Sequence, residues 1–232
     1  RGPLYPLLEL RLSICRQNGT IEASGYQFGT SMAPQLYLIT PANLDPAQFP
    51  RQLMAVLSGP EVSAILVRRG TLDDAAYATL AERLVQVGQA AGAAVLLEDN
   101  VELARDLGAD GVHITEGGTK AIRAAVSALK SDGIVGVGNI RTRHDAMSFG
   151  ELDVDYVMFG SLGGKIDADA ADLAIWWAST FEVPAVYANP GASADNADTT
   201  GAEFIALSDT IWTAPDPKEA LAAFAKAVQA KA

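Results

Sequence analysis

The sequence predicts a single α/β domain, a (β/α)8 TIM barrel preceded by an irregular N-terminal segment. Three observations carry that reading. From Gln35 onward, short apolar runs recur as continuous stretches rather than alternating ones, the pattern of parallel strands covered on both faces. Amphipathic stretches separate them, such as residues 121–130 with Ile122, Ala125, Val126 and Leu129 on one stripe. Residues 95–115 read as strand, short helix, Gly108 turn and second strand, a parallel crossover unit. Eight such units in about 200 residues fit one barrel, with an open doubly wound sheet as the alternative.

The elements follow in order. Residues 35–40 form the first strand, stopped by Pro41 and Asn43, and Asp45 is placed to cap a helix over about 46–57. Residues 63–69 are the second strand, and Thr71 or Asp73 opens a helix reaching about residue 91. Strands three to eight fall on 94–98, 111–115, 134–138, 156–160, 185–188 and 204–208. Residues 216–231 close the ring as its eighth helix. Residues 1–31 show no such alternation, so the chain divides into an extension over 1–31 and a barrel domain over 32–232. Pro6 interrupts the apolar stretch near the start and no small-residue cleavage site follows, which argues against a signal peptide. The extension is expected to lie outside the fold and lack fixed structure, with a strand or arm used in dimer contact as the alternative.

Composition narrows the function. The formal net charge is −11 at pH 7, which argues against nucleic acid, since phosphate neutralisation needs clustered Lys and Arg. One cysteine, Cys15, allows neither an intrachain disulfide nor a cysteine metal site and fits a cytoplasmic protein. No apolar run approaches the roughly 18 residues that span a bilayer.

In such barrels the working residues lie at the carboxyl ends of the strands. Glu98 and Asp99 are consecutive, so only one faces the centre. Glu116, ending the neighbouring strand, could join it in holding Mg2+, which takes one or two carboxylates plus substrate phosphates. Alternatively, Glu98 is solvated and Asp99 caps the next helix. Of Arg68 and Arg69, one is a pocket residue able to grip phosphate oxygens, and the other is expected in an outward salt bridge. Lys165 follows Gly163 and Gly164, a loop that could fold over a ligand or stay solvated. His113 sits inside an apolar strand, where a hydrogen-bonded core histidine is the plain reading, and His144 opens a polar helix. No nucleophile elbow is present, and the glycines of residues 133–138 are wrongly spaced for a dinucleotide fingerprint.

Five landmarks, in order, resemble the thiamine-phosphate synthases and their sister thiazole tautomerases. They are Leu-Tyr-Leu-Ile-Thr at 36–40, Gly-Ala-Asp-Gly-Val-His at 108–113, Gly136-Val137, Asp155-Tyr156 with Phe159-Gly160, and Pro184-Ala185-Val186. The resemblance implies joining of hydroxymethylpyrimidine diphosphate to a thiazole phosphate with loss of pyrophosphate, helped by Mg2+. It implies phosphorylated small-molecule substrates and, by analogy, a homo-oligomer. The expected site has Arg68 and Lys165 as catalytic cations and Asp99 and Glu116 as metal ligands. Asn100, His113, Gly160, Ser161, Gly191 and Ser208 are expected to contact substrate.

The sequence departs from the family pattern at several of these places. Gln-x-Arg-x-Lys falls on Leu66, Arg68 and Gly70, and Asn-Asp-Arg falls on Glu98, Asp99 and Asn100. The second metal aspartate falls near Gly118. The serine and histidine after the fifth strand fall near Gly138 and Ile140. The Gly-Gly phosphate turn becomes Asn189-Pro190-Gly191, and Pro190 has no N–H to offer. Asp209 follows Ser208, and a carboxylate about 4 Å from a phosphate costs roughly 1–4 kcal/mol unless it points away. These departures imply a degenerate phosphate site. They leave open a divergent member that binds a small ligand or regulates a partner, a tautomerase-like isomerase, or an isomerase or aldolase acting on a phosphosugar. Against an aldolase, no lysine ends a strand in a clean Schiff-base position.

Overall fold

In the computed structural model, which describes residues 33–129, 132–197 and 200–231, eight parallel strands close into a barrel in chain order. The strands are β1 (Gln35–Ile39), β2 (Ala64–Val67), β3 (Ala94–Glu98), β4 (Gly111–Ile114), β5 (Ile134–Val137), β6 (Tyr156–Gly160), β7 (Ala185–Ala188) and β8 (Phe204–Leu207). Between and after them run α1 (Phe49–Leu57), α2 (Asp74–Ala90), α3 (Val101–Leu107), α4 (Gly118–Leu129), α5 (Arg143–Gly150), α6 (Ala170–Ala178), α7 (Asp209–Trp212) and α8 (Pro217–Gln229). The expected extension over 1–31 lies outside the described residues. No helix among the described residues is long and apolar enough to cross a membrane.

Strand alternation sorts the apolar residues into two cores. Tyr37, Ile39, Leu66, Leu96, Ile134, Tyr156, Met158 and Phe204 fill the barrel. Leu38, Ile65, Val67, Leu97 and Val157 face outward against the helices. Each fully buried Leu or Ile contributes about 1.5–3 kcal/mol relative to exposure. This parity decides what reaches the mouth, because each strand's inward series ends in the residue that overhangs it.

Helix starts follow cap chemistry. Asp73 accepts from the Ala76 N–H at 2.8 Å and starts α2. Asp216 does the same for α8 through Glu219 N–H at 3.1 Å. Two expectations need correction. The first helix begins at Phe49, not near residue 46, because Pro50 sits in its first turn, the only part of a helix that tolerates proline's missing N–H. Asp45 instead closes the preceding turn, accepting from Ala47 N–H at 2.9 Å. The helix after β3 is capped by Asn100, whose Oδ1 accepts from Leu103 N–H at 3.0 Å, not by Asp99.

Candidate active site at the barrel mouth

Arg68 continues the inward series of Ala64 and Leu66 past the end of β2. Its N–H donates to Thr40 Oγ1 at 2.9 Å, and its Nη1 reaches the Leu162 carbonyl at 3.4 Å. Its Nε is 4.0 Å from Glu98 Oε1, and that nitrogen is buried without a hydrogen-bond acceptor. Arg69 turns outward and pairs with Asp74 at 2.8 Å. Glu98 is the inward carboxylate of β3, and its Oε2 accepts from Arg69 N–H at 3.1 Å. Burial pushes its carboxyl above the usual range, against the pull of Arg68.

Asp99 leaves the strand with φ of 49°, a left-handed conformation uncommon outside glycine. The turn swings its carboxylate across to β4, where it accepts from Thr115 N–H at 2.7 Å, from the Thr115 hydroxyl, and from Glu116 N–H at 3.2 Å. Three donors leave Asp99 little lone-pair capacity, while Glu116 is exposed beside it. Among the described residues no group of three His, Cys, Asp or Glu could hold a metal ion. The two adjacent carboxylates fit the one or two that Mg2+ takes when a substrate diphosphate supplies further oxygens.

Below this rim lies His113, fully buried in β4. Its Nδ1 is 2.8 Å from the Tyr156 hydroxyl, which is 2.9 Å from the Tyr37 hydroxyl. The His113 and Tyr156 rings stack at 8° with centroids 5.6 Å apart. Burial lowers the His113 pKa to about 3, so the ring is neutral.

The loop after β6 covers the other side of the mouth. Gly160 turns with φ of +107°, where a Cβ would stand 2.0 Å from the Ala188 carbonyl oxygen, so only glycine fits. Ser161 is half-buried and Lys165 is exposed near the loop's tip. Asp209 does not point away from the mouth. Its Oδ2 accepts from Gly164 N–H at 2.6 Å. A Cβ on Gly163 would meet Arg68 Nη1 at 2.9 Å and Asp209 Oδ1 at 3.3 Å. A cation and a carboxylate therefore converge on this loop.

After β7 the backbone donors are spent locally. Gly191 N–H donates to Asn189 Oδ1 at 2.9 Å, Ala192 N–H to the Asn189 carbonyl at 3.1 Å, and Ser193 N–H to Asn196 Oδ1 at 2.6 Å. Gly191, expected to face substrate, thus has its N–H committed to the side chain two residues earlier. Ser208 is buried, and its carbonyl starts α7 by accepting from Ile211 N–H at 3.0 Å.

The fold therefore brings Arg68, Glu98 and the β6 loop together, and Asp99 with Glu116 beside them. It sets His113 beneath, leaves Lys165 outside, and commits the Asn100 Oδ1 to a helix cap. Sequence reasoning missed Tyr37 and Tyr156 as polar groups of the interior, although inward parity on β1 and β6 marks both. It also missed Arg141, which joins Asn139 Oδ1 at 3.2 Å to Asp167 at 2.9 Å and so ties the loops after β5 and β6.

Comparison with known proteins agrees with this architecture. The profile of the family described as thiamine monophosphate synthase matches residues 36–211. A thiamine-phosphate synthase of Rhodospirillum centenum is 37% identical over 199 residues, covering 82% of this chain and 95% of that protein. One from Erythrobacter litoralis is 34% identical over 215 residues, covering 87% and 98%. A solved thiamine phosphate pyrophosphorylase from Pyrococcus furiosus superposes with a TM-score of 0.71 at 23% identity, over 86% of this chain and 98% of that one, a likeness of fold. The profile spans three quarters of the chain and the relatives most of their own lengths, so this chain belongs to the thiamine monophosphate synthase family.

Proposed function

We propose that the protein transfers the hydroxymethylpyrimidine group from its diphosphate to a thiazole phosphate. The bond between the pyrimidine methylene carbon and the diphosphate oxygen breaks, and its electron pair leaves with pyrophosphate. The thiazole nitrogen supplies the pair for the new carbon–nitrogen bond, giving a thiazolium. The observation that carries this reading is Arg68, which faces the mouth under the β6 loop with a buried Nε that has no acceptor. A phosphoryl oxygen satisfies that donor and gains a charge-assisted hydrogen bond.

In this reading Arg68 binds the diphosphate and stabilises the charge that grows on it as it departs. Lys165, exposed near the loop's tip, has to swing inward to reach the diphosphate, and Gly160 and Ser161 set that loop's path. Asp99 and Glu116 would hold Mg2+, which would supply positive charge beside the departing pyrophosphate. Ser208 lines the far wall, and Asn100 offers its amide nitrogen. Closed-off donors after β7, together with Asp209, favour a second reading: a divergent member whose second ligand is not a phosphorylated thiazole.

The test is pyrophosphate release from hydroxymethylpyrimidine diphosphate, thiazole phosphate and Mg2+. Turnover that needs both organic substrates, and that falls with Arg68→Ala and Asp99→Ala, is expected. No turnover in protein shown to be folded overturns the synthase reading and selects the second one.

A further inference from the structure

Two strand tips hold residues other than glycine in the left-handed backbone region: Asp99 after β3, with φ of 49°, and Asn139 after β5, with φ of 55°. Few side-chain-bearing residues adopt it, and Asp and Asn are the ones that do so most readily. Both turns serve the same neighbour. Asp99 accepts from Thr115 N–H at 2.7 Å, and Asn139 Nδ2 donates to the Thr115 carbonyl at 3.3 Å. The other end of the Asn139 amide is also used, since its Oδ1 accepts from Arg141 Nε at 3.2 Å. Only one orientation of the amide serves a carbonyl and a guanidinium at once. Arg141 Nη1 then donates to Asp167 Oδ2 at 2.9 Å, and Asp167 Oδ1 accepts from Asp169 N–H at 3.2 Å. A polar belt thus runs from the tip of β3 across β4 and β5 into the loop after β6.

The belt does little for stability. The Arg141 side chain is 63% exposed, and an exposed ion pair contributes about 0–1 kcal/mol. Its effect is on geometry. The Asp167 side chain is 15% exposed, and a planar guanidinium bonded on two edges fixes the distance between its partners. Lys165 lies two residues before Asp167 on the same loop. Its chain neighbours are tied to the far side of the mouth. Gly164 N–H donates to Asp209, and the Ile166 side chain lies against Gly191, where a Cβ would stand 2.5 Å from Ile166 Cδ1. Those ties fix the loop to the ends of β7 and β8. The Arg141 tie fixes it to the strand tips that carry Asp99 and Glu116. With Gly70 and Asn100 standing where the family pattern has cations, a diphosphate depends on how well the remaining cations are placed.

We propose that Arg141 is a positioning residue of the diphosphate site: through Asn139 and Asp167 it holds the loop after β6 at a set offset from Asp99, so that the Lys165 ammonium swings onto the diphosphate from one starting place. Arg141 touches no substrate and acts through Lys165. The role of Lys165 rests on the synthase reading.

The probe is magnesium pyrophosphate, titrated by calorimetry, which needs no turnover. Arg141→Ala should weaken its binding about fivefold to tenfold, the scale of one net hydrogen bond, with the unfolding midpoint unchanged. Lys165→Ala should weaken it as much. The double variant should be no weaker than Lys165→Ala alone, because the effects of residues that act through one another do not add. Asp167→Asn keeps an acceptor for Arg141 and should bind within about twofold of the unsubstituted protein, whereas Asp167→Ala should behave like Arg141→Ala. Full binding in Arg141→Ala or in Lys165→Ala, or losses that multiply in the double variant, overturns the assignment. No binding by the unsubstituted protein overturns the diphosphate site and the role of Arg141 with it. Pyrophosphate release from the two organic substrates decides the synthase reading separately. Turnover together with multiplying losses keeps that reading and sinks the role of Arg141. Non-additive losses without turnover sink that reading and keep the role.

Discussion

The two sides of the barrel mouth treat polar groups in opposite ways. On the β2–β4 side they are left unsatisfied or exposed: among the described residues Arg68 Nε is buried without an acceptor, His113 Nε2 is buried beneath it without a partner, and Glu116 is exposed. On the β7–β8 side they are consumed: Pro190 has no N–H, Gly191, Ala192 and Ser193 donate within their own loop, and Asp209 occupies the Gly164 N–H. Barrels of this kind often bind phosphate with the loops after strands seven and eight. The fold supplies the place here, but the side chains have closed that half. On the proposed reading, the difference favours anion binding on the Arg68 side.

The sharpest way to break this contrast is Arg68→Ala. Removing an electrostatic group that meets growing charge typically costs about 10²–10³ in rate, and that loss is expected in kcat/KM for pyrophosphate release. The unfolding midpoint should hardly move, because Arg68 pairs with Glu98 only at 4.0 Å. A loss of less than fivefold would place the diphosphate elsewhere.

His113 gives the next largest effect, on stability. Its folded pKa, about 3, lies below the usual value near 6.5. Between those values the unfolded chain binds one proton more than the folded one, so stability rises with pH and falls on acidification. The slope is about 1.4 kcal/mol per pH unit, or about 2 kcal/mol between pH 7 and pH 5. Urea unfolding at both pH values should show this difference against His113→Gln, which has no such proton to gain. Parallel pH dependence in the two proteins would mean that the imidazole is not held neutral.

Asp209→Asn probes the closed half. It removes a carboxylate from beside Gly163 and Gly164 and leaves an amide that can still accept from Gly164 N–H. Like-charge repulsion at about 4 Å in a partly exposed site is worth about 1 kcal/mol or more. The Kd for thiazole phosphate should therefore fall about fivefold to tenfold, by calorimetry, and that for the diphosphate should fall too, because Asp209 and Arg68 converge on the same loop. An unchanged Kd for thiazole phosphate would show that this ligand never approaches Asp209.

Alternation explains what could be read before the structure. Apolar runs marked every strand, and a period of two separated the inward Arg68 from the outward Arg69 that pairs with Asp74. The same rule gave no account of Asp99, because φ of 49° takes it out of the strand before its side chain is placed. Nor could it join Tyr37 to Tyr156, 119 residues apart in sequence. That contact exists only once the strands have closed into a ring and glycines at 136 and 138 have made room. Helix starts failed where two prolines competed, since Pro46 and Pro50 are equal signals until one is seen to sit in the first turn.

The smallest effect belongs to Asn100, which stands on the open side with its Oδ1 committed to Leu103 N–H. Asn100→Ala should cost about 1 kcal/mol of stability as a lost helix cap, and it also removes the amide nitrogen, the one group of Asn100 left to touch substrate. Asn100→Ser separates the two roles, because a serine hydroxyl caps the helix and carries no amide. If both variants keep kcat within twofold and only the alanine variant loses stability, Asn100 serves α3 and the open half consists of Arg68, the acidic rim and His113. If the serine variant keeps its unfolding midpoint but loses tenfold in kcat/KM, the amide meets substrate. The available side of the mouth would then extend one residue past Asp99 into the first turn of the helix.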